Sequence, residues 1–361
     1  MLVRSLQMLL LLPAALRLAF AQNSNSSTAC NNSPDLCQRA YNNITHLGAH
    51  DSPFVRDAST GYSVSGNQYY NTTVQLAAGV RLLSAQVQTN STNGQLSVCH
   101  TSCSLLNVGT LRSWLQEVNT WLVANPNEVV TILLVNGASA SATSLAAEYE
   151  AAGITNSAYT PTRSSAIEQW PTLQQLINNG TRLLNFVATL TDNAGAPYLM
   201  NEFDYIFENS YQNTAPTDFS CTANRPDSVA NNTSGALGAG MMPLMNHFLY
   251  ANETLFEMPN TTYLATTNAP SGGVGNLGDA ATQCTSEYGR VPTFVLVDFF
   301  NVGPAISAVD RLNGVTAPVG RTGVSTAVAS ASTSGADIMS AGWGKGVVML
   351  CLTIWAIGGG I

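Results

Sequence analysis

The chain reads as a mixed α/β protein built as a single distorted (β/α)8 TIM-type barrel, and three observations lead there. Apolar runs rich in β-branched residues alternate with stretches of helical apolar spacing. The run Glu128 to Asn136, EVVTILLVN, is apolar almost without a break, as a strand buried on both faces requires. The alternation continues without a linker over about 250 to 300 residues, the length of one barrel. An open, doubly wound sheet is the competing architecture, but no glycine-rich phosphate loop follows the first strand.

Taken in order, Tyr41 to Ala49 reads as the first strand and Val80 to Thr89 as the second. A helix follows over Thr110 to Ala124, with Leu111, Trp114, Leu115, Val118, Trp121 and Leu122 on one face and Asn125-Pro126 as its stop. After the Glu128 to Asn136 strand come helices near Ser144 to Ala152 and Ile167 to Asn178, then a strand at Arg182 to Ala188. Apolar segments at Pro197 to Phe207 and Met242 to Tyr250, a helix near Ala280 to Tyr288 and a strand at Thr293 to Phe300 complete the set.

The two ends are processing signals in character. Residues 1–21 carry Arg4, a mostly apolar core and the small-x-small site Ala19-Phe20-Ala21, the pattern of a secretory signal peptide; a membrane anchor is the alternative. Residues 22–40 form a Ser/Asn-rich lead, 41–318 the barrel, and 319–334 an Ala/Ser/Thr-rich stalk. Residues 335–361 end in GVVMLCLTIWAIGGGI behind a short polar spacer, the order of a GPI-anchor signal, with Ser334 as the attachment site and a single-pass tail as the alternative.

Of the 7 cysteines, Cys351 lies in that tail. The remaining six suit three disulfides in an oxidising compartment: Cys30 with Cys37 and Cys99 with Cys103 by proximity, and Cys221 with Cys284 by elimination. Metal binding by Cys99 and Cys103 beside His100 is the competing reading. Acceptors for N-glycosylation stand at Asn25, Asn31, Asn43, Asn71, Asn90, Asn179, Asn231, Asn232, Asn252 and Asn260. Only 9% of residues are charged, the formal net charge is -8, and the one lysine, Lys345, lies beyond the proposed anchor site. Without a basic stripe, nucleic acid is a poor partner. The chain is expected at the outer face of the plasma membrane or cell wall, as a monomer.

Four histidines are the groups able to move protons near neutral pH. His50 and Asp51 follow the first strand, His100 lies just beyond the second, and Asp298 falls in the last. In a barrel the first and last strands are neighbours and active residues gather at strand C-termini, so these four converge. Two histidines across a phosphate supply a base and an acid, and an aspartate on the base fixes its tautomer. His46, four residues before His50, shares its strand face and is expected to line the barrel near the substrate. His247 reads as structural.

In order, HLGAHDS at His46 to Ser52, Gly79-Val80-Arg81 followed by His100, NPNEVVTILLVN at Asn125 to Asn136 and VLVDFF at Val295 to Phe300 resemble the X-domain of phosphatidylinositol-specific phospholipase C, in its secreted single-domain branch. The resemblance runs from about Asn42 to Asn313. It implies that His50 matches the general base, His100 the general acid, Asp298 the carboxylate on the base, and Asp51 a group near the phosphate. It also exposes a departure. Where bacterial members carry Asp-x-Arg and calcium-dependent members Glu-x-Asp, this chain has Ser84-Ala85-Gln86, and Val135 stands on the third strand without a following glutamate.

A calcium site of Ser84, Gln86 and Val135 lacks anionic oxygens, so no metal or other cofactor is expected. Gln86 is left as a neutral donor to phosphate, and Arg56 as a substitute cation against the alternative of a surface salt bridge. Glu202 and Asp204 are possible polyol contacts. The function expected is hydrolysis of a phospholipid-type phosphodiester without metal. A binding glycoprotein of the cell surface is the alternative, and a glycerophosphodiester phosphodiesterase ranks third for want of an early metal-binding carboxylate pair.

Overall fold

The computed structural model describes residues 29–251 and 257–327. The signal peptide, Ser334 and the anchor signal lie outside the described residues. The first half of the fold contains β1 (His46–Ala49), α1 (Thr72–Ala78), β2 (Leu82–Thr89), β3 (Leu96–His100), β4 (Leu106–Thr110), α2 (Leu111–Ala124), β5 (Val130–Asn136), α3 (Ala142–Ala151), α4 (Leu173–Asn178) and β6 (Leu183–Ala188). The second half contains β7 (Leu199–Asn201), β8 (Ile206–Glu208), α5 (Thr233–Gly238), β9 (Met242–Asn246), β10 (Tyr250–Ala251), β11 (Met258–Pro259), α6 (Leu264–Thr267), α7 (Leu277–Tyr288), β12 (Phe294–Val297) and α8 (Ala305–Asn313).

Eight parallel strands curl in the order β7-β6-β5-β2-β1-β12-β9-β8. First and last strands pair as expected, His46 opposite Phe294 and Ala49 opposite Val297. Among the described residues no ladder joins β7 to β8, so the expected closed ring is a half-barrel with a seam, at which the chain makes a 3-10 turn over Glu202–Asp204. The antiparallel hairpin β3–β4 extends β2 beyond the barrel rim.

Side chains alternate along each strand with period two. On β1, β2 and β12, Leu47, Ala49, Leu83, Ala85, Val295 and Val297 face the helices in one core, while Leu82, Phe294 and Leu296 fill the barrel interior. Gly48 takes its interior place because a Cβ there would lie 2.6 Å from Leu296 Cδ2 and 2.8 Å from Leu82 Cδ2. α2 begins where its sequence indicates: the Thr110 side chain accepts from Ser113 N, and Asn125 ends the helix.

Several boundaries differ from expectation. Tyr41–Asn43 is a 3-10 turn rather than strand, and the helix expected from Ile167 shortens to α4 because Thr172, after Pro171, forms a capping box with Gln175. The segment Pro197 to Phe207 breaks into β7 and β8 around the seam. The disulfides are Cys30–Cys37, Cys99–Cys103 and Cys221–Cys284. Asn31 is buried and its Oδ1 accepts Val129 N at 2.7 Å, so this sequon is enclosed by the fold rather than presented on a glycosylated surface.

Candidate active site

A cavity of about 510 Å³ opens at the C-terminal end of the strands, with His50, Asp51, Gln86 and His100 in its wall. His50 and Asp51 come directly after β1, Gln86 from the inward face of β2, and His100 from the end of β3, so the second histidine arrives on the added hairpin and not on a barrel strand. The Cys99–Cys103 disulfide spans His100 and limits the freedom of its loop.

Asp298, one residue past β12, places Oδ1 2.8 Å from His50 Nδ1. Asn67 donates to the same oxygen at 3.0 Å. With Asp298 ionised, His50 Nδ1 carries the proton of that bond and Nε2 is left with its lone pair. Phe248 stacks on the imidazole at 3.8 Å, and Gln68 Nε2 donates to the His50 carbonyl at 2.8 Å. Ring and backbone are thus both fixed.

Asp51 stands between the histidines. Its Oδ2 is 3.8 Å from His50 Nε2 and 3.5 Å from His100 Nε2. Its backbone is left-handed, φ 48°, a region that aspartate tolerates better than most residues, and its N–H donates to Ser84 Oγ at 2.8 Å. Gln86 Nε2 donates to Asp51 Oδ2 at 2.7 Å, while Gln86 Oε1 accepts from Thr101 N at 2.8 Å. Ser84 and Gln86, which depart from the family pattern, therefore hold Asp51 and the His100 loop from behind. Of the donor capacity expected to reach phosphate, Gln86 keeps one N–H.

The two histidines are pushed in opposite directions. Burial acts to lower His50, but the carboxylates of Asp51 and Asp298 outweigh it and raise its pKa. Burial also lowers His100, and there Asp51 offsets only part, with His50 adding to the fall. Asp51 is the carboxylate whose charge has the larger effect on both, and Asp298 also raises each.

Other expected residues fall elsewhere. His46 is 2% exposed at the barrel floor, its Nε2 3.0 Å from the Tyr41 carbonyl, so it does not reach substrate. The strand-face reading was right and the depth was wrong: four residues at about 3.3 Å each separate it from the mouth. Arg56 is not among the residues lining the cavity. Arg81 is buried on the other face, paired with Glu128 at 2.6 Å. His247 is structural, its Nε2 3.0 Å from the Thr267 carbonyl and its ring on Phe219. Glu202 lines the cavity, whereas Asp204 does not.

Sequence reading missed Asn67, Glu208, Arg225 and Asn246. Glu208 accepts from Arg225 Nε at 2.9 Å and from Asn246 Nδ2 at 3.0 Å. Its same-face relation to Ile206 was the available signal; Asn67 and Arg225 lie in loops, where no periodicity marks them. Ser84, Gln86 and Val135 offer no carboxylate, and among the described residues no cluster of three or more His, Cys, Asp or Glu could hold a metal ion. The residues present do not fit calcium.

A family model described as PI-PLC X 1 matches residues 36–313. Two proteins of Arthroderma benhamiae are each 37% identical: a PI-PLC X domain-containing protein 1, over 83% of this chain and 96% of its own length, and an uncharacterized secreted protein, over 85% and 69%. Among solved structures, a mutant of the phosphatidylinositol-specific phospholipase C from Staphylococcus aureus superposes with TM-score 0.50 at 15% identity, covering 77% of this chain and 95% of that one. At that identity the likeness speaks for the fold.

Proposed function

The chain belongs to the PI-PLC X family, and from that premise we propose that it is a secreted phosphodiester hydrolase working by two-histidine acid-base catalysis without a metal. The observation that carries the reading is the linked set Asp298–His50–Asp51–His100 at the barrel mouth. His50 Nε2, held in the acceptor tautomer by Asp298, takes the proton of the attacking hydroxyl. The nucleophile's oxygen bonds to phosphorus, the opposite P–O bond breaks, and His100 Nε2 delivers a proton to the leaving oxygen. Neutral donors remain for the equatorial oxygens. Losing a charged donor at position 86 corresponds to about 10² to 10³ in rate, the scale of one oxyanion-hole donor.

Secretion is supported by the name of one relative and by three disulfides. The signal peptide 1–21, barrel 41–318, stalk 319–334, GPI attachment at Ser334 and exposed N-glycosylation complete the proposal.

The test is hydrolysis of a panel of phosphodiesters, phosphatidylinositol among them, with EDTA present, beside His50→Ala and His100→Ala. Turnover that survives EDTA and vanishes in both variants is expected. Loss of turnover on chelation sinks the metal-independent mechanism, and a folded protein inert on every diester moves the assignment to a surface binding glycoprotein.

A further inference from the structure

Beyond the histidines, the same cavity is lined by Glu202, Glu208 and Glu257, with Tyr211 and Tyr250, against one guanidinium, Arg225. That guanidinium is already committed. It forks onto Glu208, which is 2% exposed, and lies over the Tyr211 ring at 4.4 Å. Glu202 is 1% exposed; burial, and then the neighbouring Glu208, hold its pKa well above the usual carboxylate range, so it is a neutral acid, and its Oε1 has no hydrogen-bond partner although the residue lines the cavity. A buried acceptor left without a donor marks a place that a ligand's N–H, O–H or positive charge can fill.

Position 86 adds no positive charge at the phosphate end, and Asp51 sits between the two histidines. With Glu202 set aside as neutral, Asp51, Glu208 and Glu257 still stand against Arg225, so a phosphodiester anion enters a cavity with more acidic groups than fixed cations. Like-charge approach of this kind is opposed unless the ligand brings a cation of its own. On the hydrolase reading above, we infer that the substrate is a zwitterionic phosphodiester: its phosphate lies between His50 and His100, and its alkylammonium headgroup against Glu202, Glu257 and the rings of Tyr211 and Tyr250. Aromatic faces beside carboxylates are the chemistry that holds substituted ammonium groups.

The choline and ethanolamine headgroups carry no hydroxyl of their own to attack phosphorus and expel glycerol, so water is the nucleophile. Its proton passes to His50 and its oxygen bonds to phosphorus. The P–O bond to glycerol breaks, and His100 protonates the departing oxygen. Glycerol and a phosphoryl-alkylammonium result, one water having been consumed.

The experiment compares kcat/KM of the purified full-length protein on glycerophosphocholine and glycerophosphoethanolamine with that on glycerophosphoglycerol and glycerophosphoinositol. In parallel, calorimetry compares choline with its uncharged isostere, 3,3-dimethylbutan-1-ol. The cationic esters are expected to be favoured by about tenfold, the scale of a partly desolvated cation over an aromatic ring. Choline is expected to bind where the isostere does not, and Glu257→Gln and Tyr211→Leu to narrow both differences. Equal or faster turnover of the neutral-headgroup esters overturns the headgroup assignment while leaving the hydrolase standing. If no ester is turned over, the hydrolase reading falls; choline binding no tighter than the isostere then overturns the ammonium seat as well, and tighter binding upholds it.

Discussion

The mouth and the floor of the barrel each receive a histidine from the same inward face of β1, and little but residue type is common to them. His50, at the mouth, has a carboxylate at 2.8 Å on Nδ1 and a second carboxylate near Nε2. His46, at the floor, faces a backbone carbonyl and packs on Tyr41 and Phe294, with ring centroids 4.6 and 5.7 Å away. Burial drives His46 down to about 4, with Arg81 and Arg39 adding to the effect over the opposing hydrogen bond to Tyr41. The carboxylates at His50 reverse the sign. Strand face decides whether a residue enters the barrel. Depth along the strand decides whether it meets charge and water or hydrocarbon.

The largest expected difference between the two regions is in turnover. His50→Ala or His100→Ala should lower kcat by about 10² to 10⁴ on any diester the protein cleaves, the range for a positioned acid or base. His46→Ala, distant from the mouth, should leave kcat/KM of the folded fraction within about threefold while lowering Tm. A His46 variant that folds as well as its parent but loses turnover would break the division between mouth and floor.

Asp51→Asn sharpens the same contrast, because asparagine also tolerates the left-handed backbone at this position. Removing the carboxylate that stands between the two histidines should cost about 10² in kcat, comparable with one preorganised polar contact. By NMR the pKa values of His50 and His100 should both fall, while His46 stays where it is. The pH profile carries a further consequence. The base, His50, is raised and the acid, His100, is lowered, so the competent form is a minority at every pH. The kcat/KM bell should take its acid limb from His100 and its alkaline limb from His50, and move about one unit to lower pH in Asp51→Asn. An unmoved bell would remove Asp51 from the electrostatic account.

How much of this was legible follows from where each signal lies in the chain. Residues 46, 48 and 50, and 294, 296 and 298, announce themselves by period two, and the pairing of β1 with β12 turns that pattern into the His50–Asp298 contact. Cysteine parity gave three bridges. Glu208 and Arg225 stayed hidden because β8 has only three residues and the guanidinium comes from an isolated bridge in a loop. The same shortness drew attention to Asp204 in a segment where Glu202 and Glu208 are the inward carboxyls. Asn67 reaches Asp298 across 231 positions, a contact that no local pattern encodes. The purpose of Ser84 and Gln86 was likewise invisible, since their partner, Asp51, lies on another strand's loop.

The smallest expected effect concerns stability, and it separates floor from mouth by sign. His46 and His247 are buried with pKa values lowered to about 4. The unfolded chain, titrating near 6.5, therefore takes up protons first as pH falls. The stability these two contribute is complete above about pH 6.5 and is lost toward pH 4, by roughly 3 kcal/mol each at the full shift. His50 is raised, so its contribution is complete below about pH 6.5 and is lost as pH climbs through its folded value. Urea midpoints across that range should fall toward acid in the parent, with the carboxylate contribution cancelling when each variant is compared with it. His46→Gln and His247→Gln should flatten the acid limb below about pH 6.5, while His50→Gln should leave that limb unchanged and remove the loss of stability above about pH 6.5, because the proton that favours the folded state is shed only there. If His50→Gln flattens the acid limb as the floor variants do, the carboxylates at the mouth are not holding a proton on that ring, and the sign difference between the two histidines of β1 is lost.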